Sequence, residues 1–163
     1  MRSEFGRGLL AGAIGAVVLT AVHQLGRATL DHPPRMDVLG RRALRRTARP
    51  MGVRLGRRQA QRWTLAGDLV SNALYYALAT RGSPDGAPWR GTLLGALAGL
   101  GGVFLPGPLG LGRSPSRARA STSALTVGWY TLGGLAAGIA ARRMGRERGD
   151  PDLHARLATN VFA

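Results

Sequence analysis

The sequence predicts an all-α integral membrane protein, a four-helix bundle with an amphipathic cationic helix in its first connection. The first observation is that charge is segregated: the 163 residues include 23 arginines, no lysine and 8 acidic residues, a net charge of +15. Three runs carry no charge and a fourth carries one carboxylate; they are residues 8–26, 91–112, 120–141 and, with Asp68, 63–80. The second observation is length, since about 20 helical residues at ~1.5 Å each cross the hydrocarbon core of a bilayer. We therefore predict a single membrane domain over residues 1–163.

The first predicted span covers residues 8–27. Arg2 and Arg7 precede its apolar run, as basic residues precede the core of a cleaved secretory signal. The run is 19 residues long, however, and the cores of signal peptides are usually shorter. An uncleaved first span is therefore the preferred interpretation, and a cleaved signal is the alternative.

A basic amphipathic connection, residues 33–61, follows the first span. We place a helix in it between Asp37, as the N-cap, and Pro50, which ends a helix. Five arginines fall within an arc of about 140° on that helix; they are Arg41, Arg42, Arg45, Arg46 and Arg49. Such a face is expected to bind anionic lipid headgroups, at roughly 1 kcal/mol per arginine, or an acidic partner. The alternative is a solvated face on an ordinary connector.

The second predicted span, residues 62–80, carries a stripe of polar residues on one helical face. Its carboxylate, Asp68, is costly within a membrane and is expected to have a partner or a function. The end of the first span carries a matching stripe, which reaches a similar depth if the two helices are antiparallel. We therefore expect Asp68 to pair with His23 or Arg27. The predicted intramembrane polar cluster consists of His23, Gln24, Arg27, Asp68, Ser71, Asn72 and Tyr75.

The third and fourth predicted spans cover residues 90–112 and 120–141, and a polar tail, residues 142–163, follows them. Glycines spaced four apart line one helical face and let a neighbouring helix approach closely. The predicted packing glycines are Gly8, Gly12, Gly91, Gly95, Gly99, Gly134 and Gly138. Proline and glycine within residues 106–112 prevent a continuous helix there, so a re-entrant third segment is the alternative to a full span.

Arginine counts set the predicted orientation, because connections rich in basic residues stay in the cytoplasm. With four spans, the first and third connections hold 14 arginines, against 9 on the opposite side. Those two connections are therefore expected in the cytoplasm, and the expected location is the cytoplasmic (inner) membrane of a bacterium. A re-entrant third segment would instead give 16 against 7.

The residue inventory argues against several classes of activity. The chain lacks cysteine, which excludes thiolate nucleophiles and thiolate metal sites, and its three histidines lack metal-ligand spacing. No aromatic residue interleaves the arginines as nucleic-acid binding requires, so we expect no metal, no cofactor and no nucleic acid. Catalysis would need His23 as a base, Asp68 as its orienting carboxylate, and Ser71 or a hydroxyl group of the fourth span as a nucleophile, and no motif supports it.

The main functional interpretation is a non-enzymatic accessory or interaction subunit, or a lipid-contacting scaffold. Its partners would be anionic headgroups of membrane lipids, other membrane subunits or a second copy of the chain. The alternative is a small transporter or channel in which His23, Asp68 and Asn72 line a polar path between helices. With four spans, polar residues converge on the side of the basic connection, and we expect a polar pocket to open there.

Overall fold

The structure is a computed structural model that describes residues 2–147, and within this range it is all-α, with five helices and no strands. Helix α1 comprises Arg2–Thr29, α2 Met36–Ala48, α3 Arg57–Tyr76, α4 Ala87–Phe104 and α5 Ala120–Arg146. Short 3-10 turns extend α3 and join the helices. The prediction of an all-α fold is confirmed. Residues 148–163 of the predicted polar tail lie outside the described range.

The four long helices run antiparallel to their neighbours, in the lateral order α3, α1, α5, α4. Gly8, near the start of α1, lies beside Thr80, just beyond the end of α3. Gly26, near the end of α1, lies against the Trp129 ring in the first half of α5. We call the end where α1 stops and α5 starts the upper end of the bundle, and the end where α3 turns into α4 the lower end.

α4 and α5 approach each other so closely that side chains do not fit between them. A Cβ atom at Gly95 would lie 2.7 Å from the Cα of Thr131, and one at Gly99 would lie 2.6 Å from the Cα of Val127. Ordinary van der Waals contacts of a Cβ begin at 3.4 Å. All seven predicted packing glycines are buried, and they lie at contacts of α1 with α3 and of α4 with α5.

The helix ends differ from the predicted spans where proline and glycine intervene. α4 ends at Phe104 rather than at residue 112, because residues 105–112 form turns in which two glycines adopt positive φ. α4 is nevertheless continuous from the lower end to Gly102, which contacts Met36 of α2 at the upper end. α5 continues past residue 141 to Arg146.

α2 lies across the upper part of α3, and its start differs from the sequence-based expectation. The prediction that Asp37 is the N-cap is wrong: α2 begins at Met36, and Asp37 lies in its first turn. There the Asp37 carboxylate accepts a hydrogen bond from Arg41, one turn along the helix, instead of capping the backbone. The helix ends at Ala48, and Pro50 follows within a 3-10 turn.

Arginine satisfies backbone and side-chain acceptors at the lower end. Arg90 of α4 donates to the carbonyl oxygens of Ala79 and Ser83, at 3.2 and 2.6 Å. The exposed carboxylate of Asp85 accepts a hydrogen bond of 2.6 Å from Arg146 of α5. This bond holds the pKa of Asp85 below its usual value. The connection between α3 and α4 is thereby tied to the end of α5.

Two of the described helical segments are long and apolar enough to cross a membrane, Glu4–Thr29 within α1 and Ala120–Arg146, which is α5. α3 and α4 do not combine sufficient length with a sufficiently apolar composition. α3 begins with arginines and contains Asp68, and the 18 residues of α4 include Arg90. Core helices of soluble proteins and signal sequences share this length and composition.

Candidate functional site: a polar cavity beneath α2

A cavity of about 190 Å³ lies at the upper end of the bundle, between α1, α2 and α3. α2 covers it, with Gly40 against the side chain of Thr64 on α3. Tyr130 of α5 closes another side. Apolar side chains form the larger part of its lining; they include Pro34, Met36, Leu39 and Leu65. The polar lining from α1 and α3 comprises Thr20, His23, Gln24, Arg27, Gln61, Thr64 and Asp68. A polar pocket next to the basic connection is what the sequence predicts.

Three polar atoms of this lining are buried without a hydrogen-bond partner in the described part of the chain. They are the hydroxyl oxygens of Thr20 and Thr64 and the Nε2 atom of His23. A buried polar group without a partner costs about 1 to 3 kcal/mol, and such groups are rare in folded proteins. All three atoms belong to side chains that line one cavity.

The surroundings of His23 determine which ring nitrogen carries its proton. Nδ1 lies 3.0 Å from the carbonyl oxygen of Leu19, one turn earlier on α1. Because a carbonyl oxygen only accepts, Nδ1 is the donor, and Nε2 of the neutral ring presents a lone pair. The ring stands edge-on to Trp129 and Tyr130, with centroids 4.9 and 5.8 Å away. Nε2 is thus held as a hydrogen-bond acceptor.

Asp68 forms no ion pair with any described residue, so the prediction that it pairs with His23 or Arg27 is wrong. Its Oδ1 accepts a hydrogen bond of 3.1 Å from the side-chain amide of Asn72, one turn along α3. Arg27 lies 3.9 Å from Asp37 at the start of α2 instead. The prediction compared the depths of residues on α1 and α3 only. It did not consider α2, which brings the carboxylate of Asp37 closer to Arg27. The Asp68 carboxylate therefore lines the cavity without a neighbouring cation.

Arg27, Asp37 and Arg41 form the upper rim of the cavity. Asp37 lies 2.8 Å from Arg41, 3.2 Å from Arg35 and 3.9 Å from Arg27. Partial burial opposes ionisation of Asp37, but hydrogen bonds from Arg41 and Arg35 outweigh it and hold its pKa below the usual value. With one carboxylate among three guanidinium groups, this end of the cavity is positively charged.

Two arginines of α2 fasten it to the connection between α4 and α5. Arg42 Nη1 donates to the carbonyl oxygens of Leu111 and Arg113, at 3.1 and 3.0 Å, and Arg46 Nη1 donates to that of Gly110 at 2.7 Å. Helical hydrogen bonding has ended in this connection, so its carbonyl groups need other donors. Of the arginines predicted to bind lipid, Arg41, Arg42 and Arg46 thus have partners within the chain, whereas Arg45 and Arg49 are exposed and donate no side-chain hydrogen bond to a described residue.

The predicted polar cluster is brought together in part. The members that line the cavity are His23, Gln24, Arg27 and Asp68. Asn72 touches the cavity only through its bond to Asp68, and the Ser71 hydroxyl donates to the main-chain oxygen of Asp68 at 3.1 Å. The Tyr75 hydroxyl donates to the carbonyl oxygen of Leu94, at 3.1 Å, and so links α3 to α4.

Sequence reasoning missed Gln61 and Asp37 as parts of the lining. Thr20 and Thr64 lie on the polar faces of α1 and α3, and the regular spacing of these polar residues predicts their place; Tyr130 is expected on the pocket side because it lies at the start of the fourth span. No comparable signal exists for Asp37 on α2, because its place depends on how separate helices pack.

No family model, curated protein or solved structure matches this chain. Within residues 2–147, no group of three His, Cys, Asp or Glu side chains is placed to hold a metal ion. The cavity offers hydroxyl, imidazole and carboxylate acceptors at its inner end and guanidinium donors at its upper rim. Such groups can form hydrogen bonds with a small polar molecule.

Proposed function

We propose that this chain is an integral membrane protein of four spanning helices, α1, α3, α4 and α5, which binds a small polar solute beneath α2 as a transporter or solute-binding subunit. The unpartnered polar atoms of Thr20, His23 and Thr64, gathered around one cavity with Asp68, carry this proposal. A bundle that serves helix association alone gains stability when such groups are paired or replaced by apolar side chains.

Exposed apolar side chains on all four helices support the membrane location. The exposed fraction is 60% for Leu10, 59% for Val70, 52% for Leu97 and 49% for Leu132, one residue from each helix. Only 33% and 44% of the apolar windows of α1 and α5 are buried, whereas the core helices of soluble proteins are mostly buried. Soluble monomers rarely expose contiguous apolar patches larger than a few hundred Å². A lipid environment accounts for this surface.

The ends of the helices fit a bilayer as well. Trp63 at the upper end and Trp89 at the lower end are both exposed, as expected for aromatic residues at the two membrane interfaces. The 18 residues of α4 reach about 27 Å, close to the thickness of the hydrocarbon core. Counted over the full chain with four spans, 14 arginines belong to the side of the upper end and 9 to the opposite side. We therefore assign the upper end to the cytoplasm.

Single-cysteine labelling tests both parts of the proposal, because the chain has no cysteine of its own. Thr64→Cys places a thiol in the cavity, and Val70→Cys places one on the outer face of the same helix. In reconstituted liposomes we expect a small water-soluble thiosulfonate reagent to modify Thr64→Cys and to spare Val70→Cys. The reason is that the reactive thiolate does not form in hydrocarbon.

A soluble protein with a dry contact beneath α2 would give the opposite order of reactivity. Val70, whose side chain is 59% exposed, would then react, and the half-buried position of Thr64 would not. That reversed order would refute the proposal. Labelling both variants after unfolding in denaturant is the control that each thiol can react.

Lipid contact or subunit association is the second candidate function, and the exposed guanidinium groups of Arg45 and Arg49 favour it. Near an anionic leaflet each arginine gains about 1 kcal/mol. We expect the purified protein to retain anionic phospholipid, detected by native mass spectrometry, and the double variant Arg45→Gln, Arg49→Gln to retain less. The double variant Arg81→Gln, Arg143→Gln, at two exposed positions near the lower end, is the control for net charge. An equal loss in the control would remove the special role of α2.

A further inference from the structure

The charges that line the cavity are divided between its two ends. Asp68 is the one charged side chain of α3 in the described lining. At the upper rim, Arg27 and Arg41 share the single carboxylate of Asp37. The cavity is therefore negative at the Asp68 end and positive at the upper rim.

The antiparallel register of α1 and α3 separates the two ends in depth. Gly12 of α1 contacts Ala73 of α3, and in this register Asp68 lies at or below the level of Thr20. Arg27 lies seven residues beyond Thr20, which is about 10 Å along the helix at ~1.5 Å per residue. A bound molecule thus meets opposite charges several bonds apart.

The unpartnered atoms of the lining are suited to accept hydrogen bonds, and those of Thr20 and Thr64 belong to the part of the lining nearest Asp68 in this register. Nε2 of His23 offers a lone pair when the ring is neutral, and the hydroxyl oxygens of Thr20 and Thr64 have lone pairs free. An ammonium group brings three N–H donors and a positive charge. Its three N–H groups match in number the Asp68 carboxylate and the hydroxyl oxygens of Thr20 and Thr64.

We propose that the cavity binds a small zwitterion of the amino-acid class, with its ammonium group against Asp68 and its carboxylate against Arg27 and Arg41. This inference rests on the solute-binding function proposed above. A simple cation would leave the guanidinium groups of the rim without an anion, and a simple anion would face Asp68. The cavity of about 190 Å³ equals the volume of roughly six water molecules, which is enough for a ligand of a few heavy atoms.

The test measures binding of five probes to the full chain in lipid nanodiscs, by calorimetric titration and by ligand-dependent thermal unfolding. Glycine, β-alanine and 4-aminobutyrate are zwitterions with increasing charge separation, while methylammonium carries only the positive charge and acetate only the negative charge. We expect at least one zwitterion to bind at least tenfold more tightly than methylammonium and acetate. If methylammonium or acetate binds as tightly as the best zwitterion, the inference is overturned while solute binding stands.

If none of the five probes binds, the inference is likewise overturned. Labelling of Thr64→Cys then decides the proposed function separately: a reactive thiol leaves a water-filled cavity for a different solute, and an unreactive one refutes the cavity as well. The two failures are therefore distinguishable.

Substitutions at the two ends of the cavity separate the two charges. We expect Asp68→Asn to weaken binding of methylammonium and of the best zwitterion at least tenfold, and Arg27→Gln to weaken the zwitterion while leaving methylammonium unchanged. Asp85→Asn is the matched control, since it makes the same change at the lower end, outside the cavity. Thr64→Val removes one unpartnered hydroxyl at nearly constant volume and should weaken binding several-fold, which keeps the test decisive if Asp68→Asn does not fold. Unchanged binding in Thr64→Val would place the solute elsewhere and refute the inference.

Discussion

The contact between α4 and α5 predicts that Gly134→Ala destabilises the bundle. A Cβ atom at Gly134 would lie 2.9 Å from the backbone nitrogen of Gly95 and 3.0 Å from the carbonyl carbon of Gly91, with the Gly91 oxygen closer still. Ordinary contact begins at 3.4 Å, so the helices must separate by at least 3.4 less 2.9, or about 0.5 Å. The obstructing atoms belong to the backbone of α4, which cannot move away as a flexible side chain can.

Overpacking of this kind costs about 1 to 3 kcal/mol, while the higher helix propensity of alanine offsets about 1 kcal/mol. Because three backbone atoms obstruct the new methyl group, we expect a net loss of about 1 to 2 kcal/mol. For a chain of this size that lowers Tm by roughly 2 to 8 °C.

The matched control is Gly128→Ala in the same helix, because nothing lies within 4 Å of a Cβ at that position. We expect Gly128→Ala to leave Tm unchanged or to raise it slightly through helix propensity. Thermal unfolding of the purified variants in one detergent, followed by far-UV circular dichroism, gives the comparison. Equal Tm values for Gly134→Ala and Gly128→Ala would refute the reasoning that backbone contact requires glycine there.

Two further predictions concern α2. Replacing Arg42 and Arg46 by Gln removes the hydrogen bonds to the connection between α4 and α5. We expect amide hydrogen exchange in α2 to become faster, by a factor that corresponds to a loss of about 1 to 3 kcal/mol in the free energy of local opening. The same change at Arg45 and Arg49 should leave the exchange rate unchanged. The depressed pKa of Asp37 means that its stabilisation is complete above its ordinary value of 3.8 and is lost as pH falls below that value. The difference in Tm between the wild type and Asp37→Asn should thus be constant from pH 7 to about 4 and shrink at lower pH. A difference that shrinks between pH 7 and 5 would contradict the depressed pKa of Asp37.

The long helices could be predicted because their signals are local. Uncharged runs bounded by arginine locate each segment, and the start of α5 at Ala120 coincides with the predicted one. The regular spacing of Gly91, Gly95 and Gly99 indicates a close helix contact. Gly15 contacts Gly133 where α1 and α5 approach equally closely. Neither glycine belongs to the predicted sets spaced four residues apart, so this contact was not predicted. Which helices meet is set by packing over the whole bundle.

The candidate site was predictable as a region and not as a set of contacts. Polar faces on two neighbouring spans were enough to locate a pocket near His23 and Asp68. The partner of Arg27 was predicted wrongly, because it is Asp37 on α2, and the sequence alone does not say where an amphipathic helix docks. The covering of the cavity by α2 depends on hydrogen bonds to main-chain carbonyl groups, which leave no trace in side-chain patterns.

The attachment of α2 also fixes an order of events during biosynthesis. Arg42 and Arg46 bind carbonyl groups that follow them by 64 to 71 residues in the chain. At about 5 to 20 residues per second, the ribosome completes α2 roughly 3 to 14 s before those groups exist. In that interval the residues of α3 and α4 are synthesised. Tyr130 of α5, which closes one side of the cavity, follows residues 110–113 in the chain and is made later still. Nascent chains that end before residue 110 therefore lack both the acceptors of Arg42 and Arg46 and the side of the cavity that Tyr130 closes.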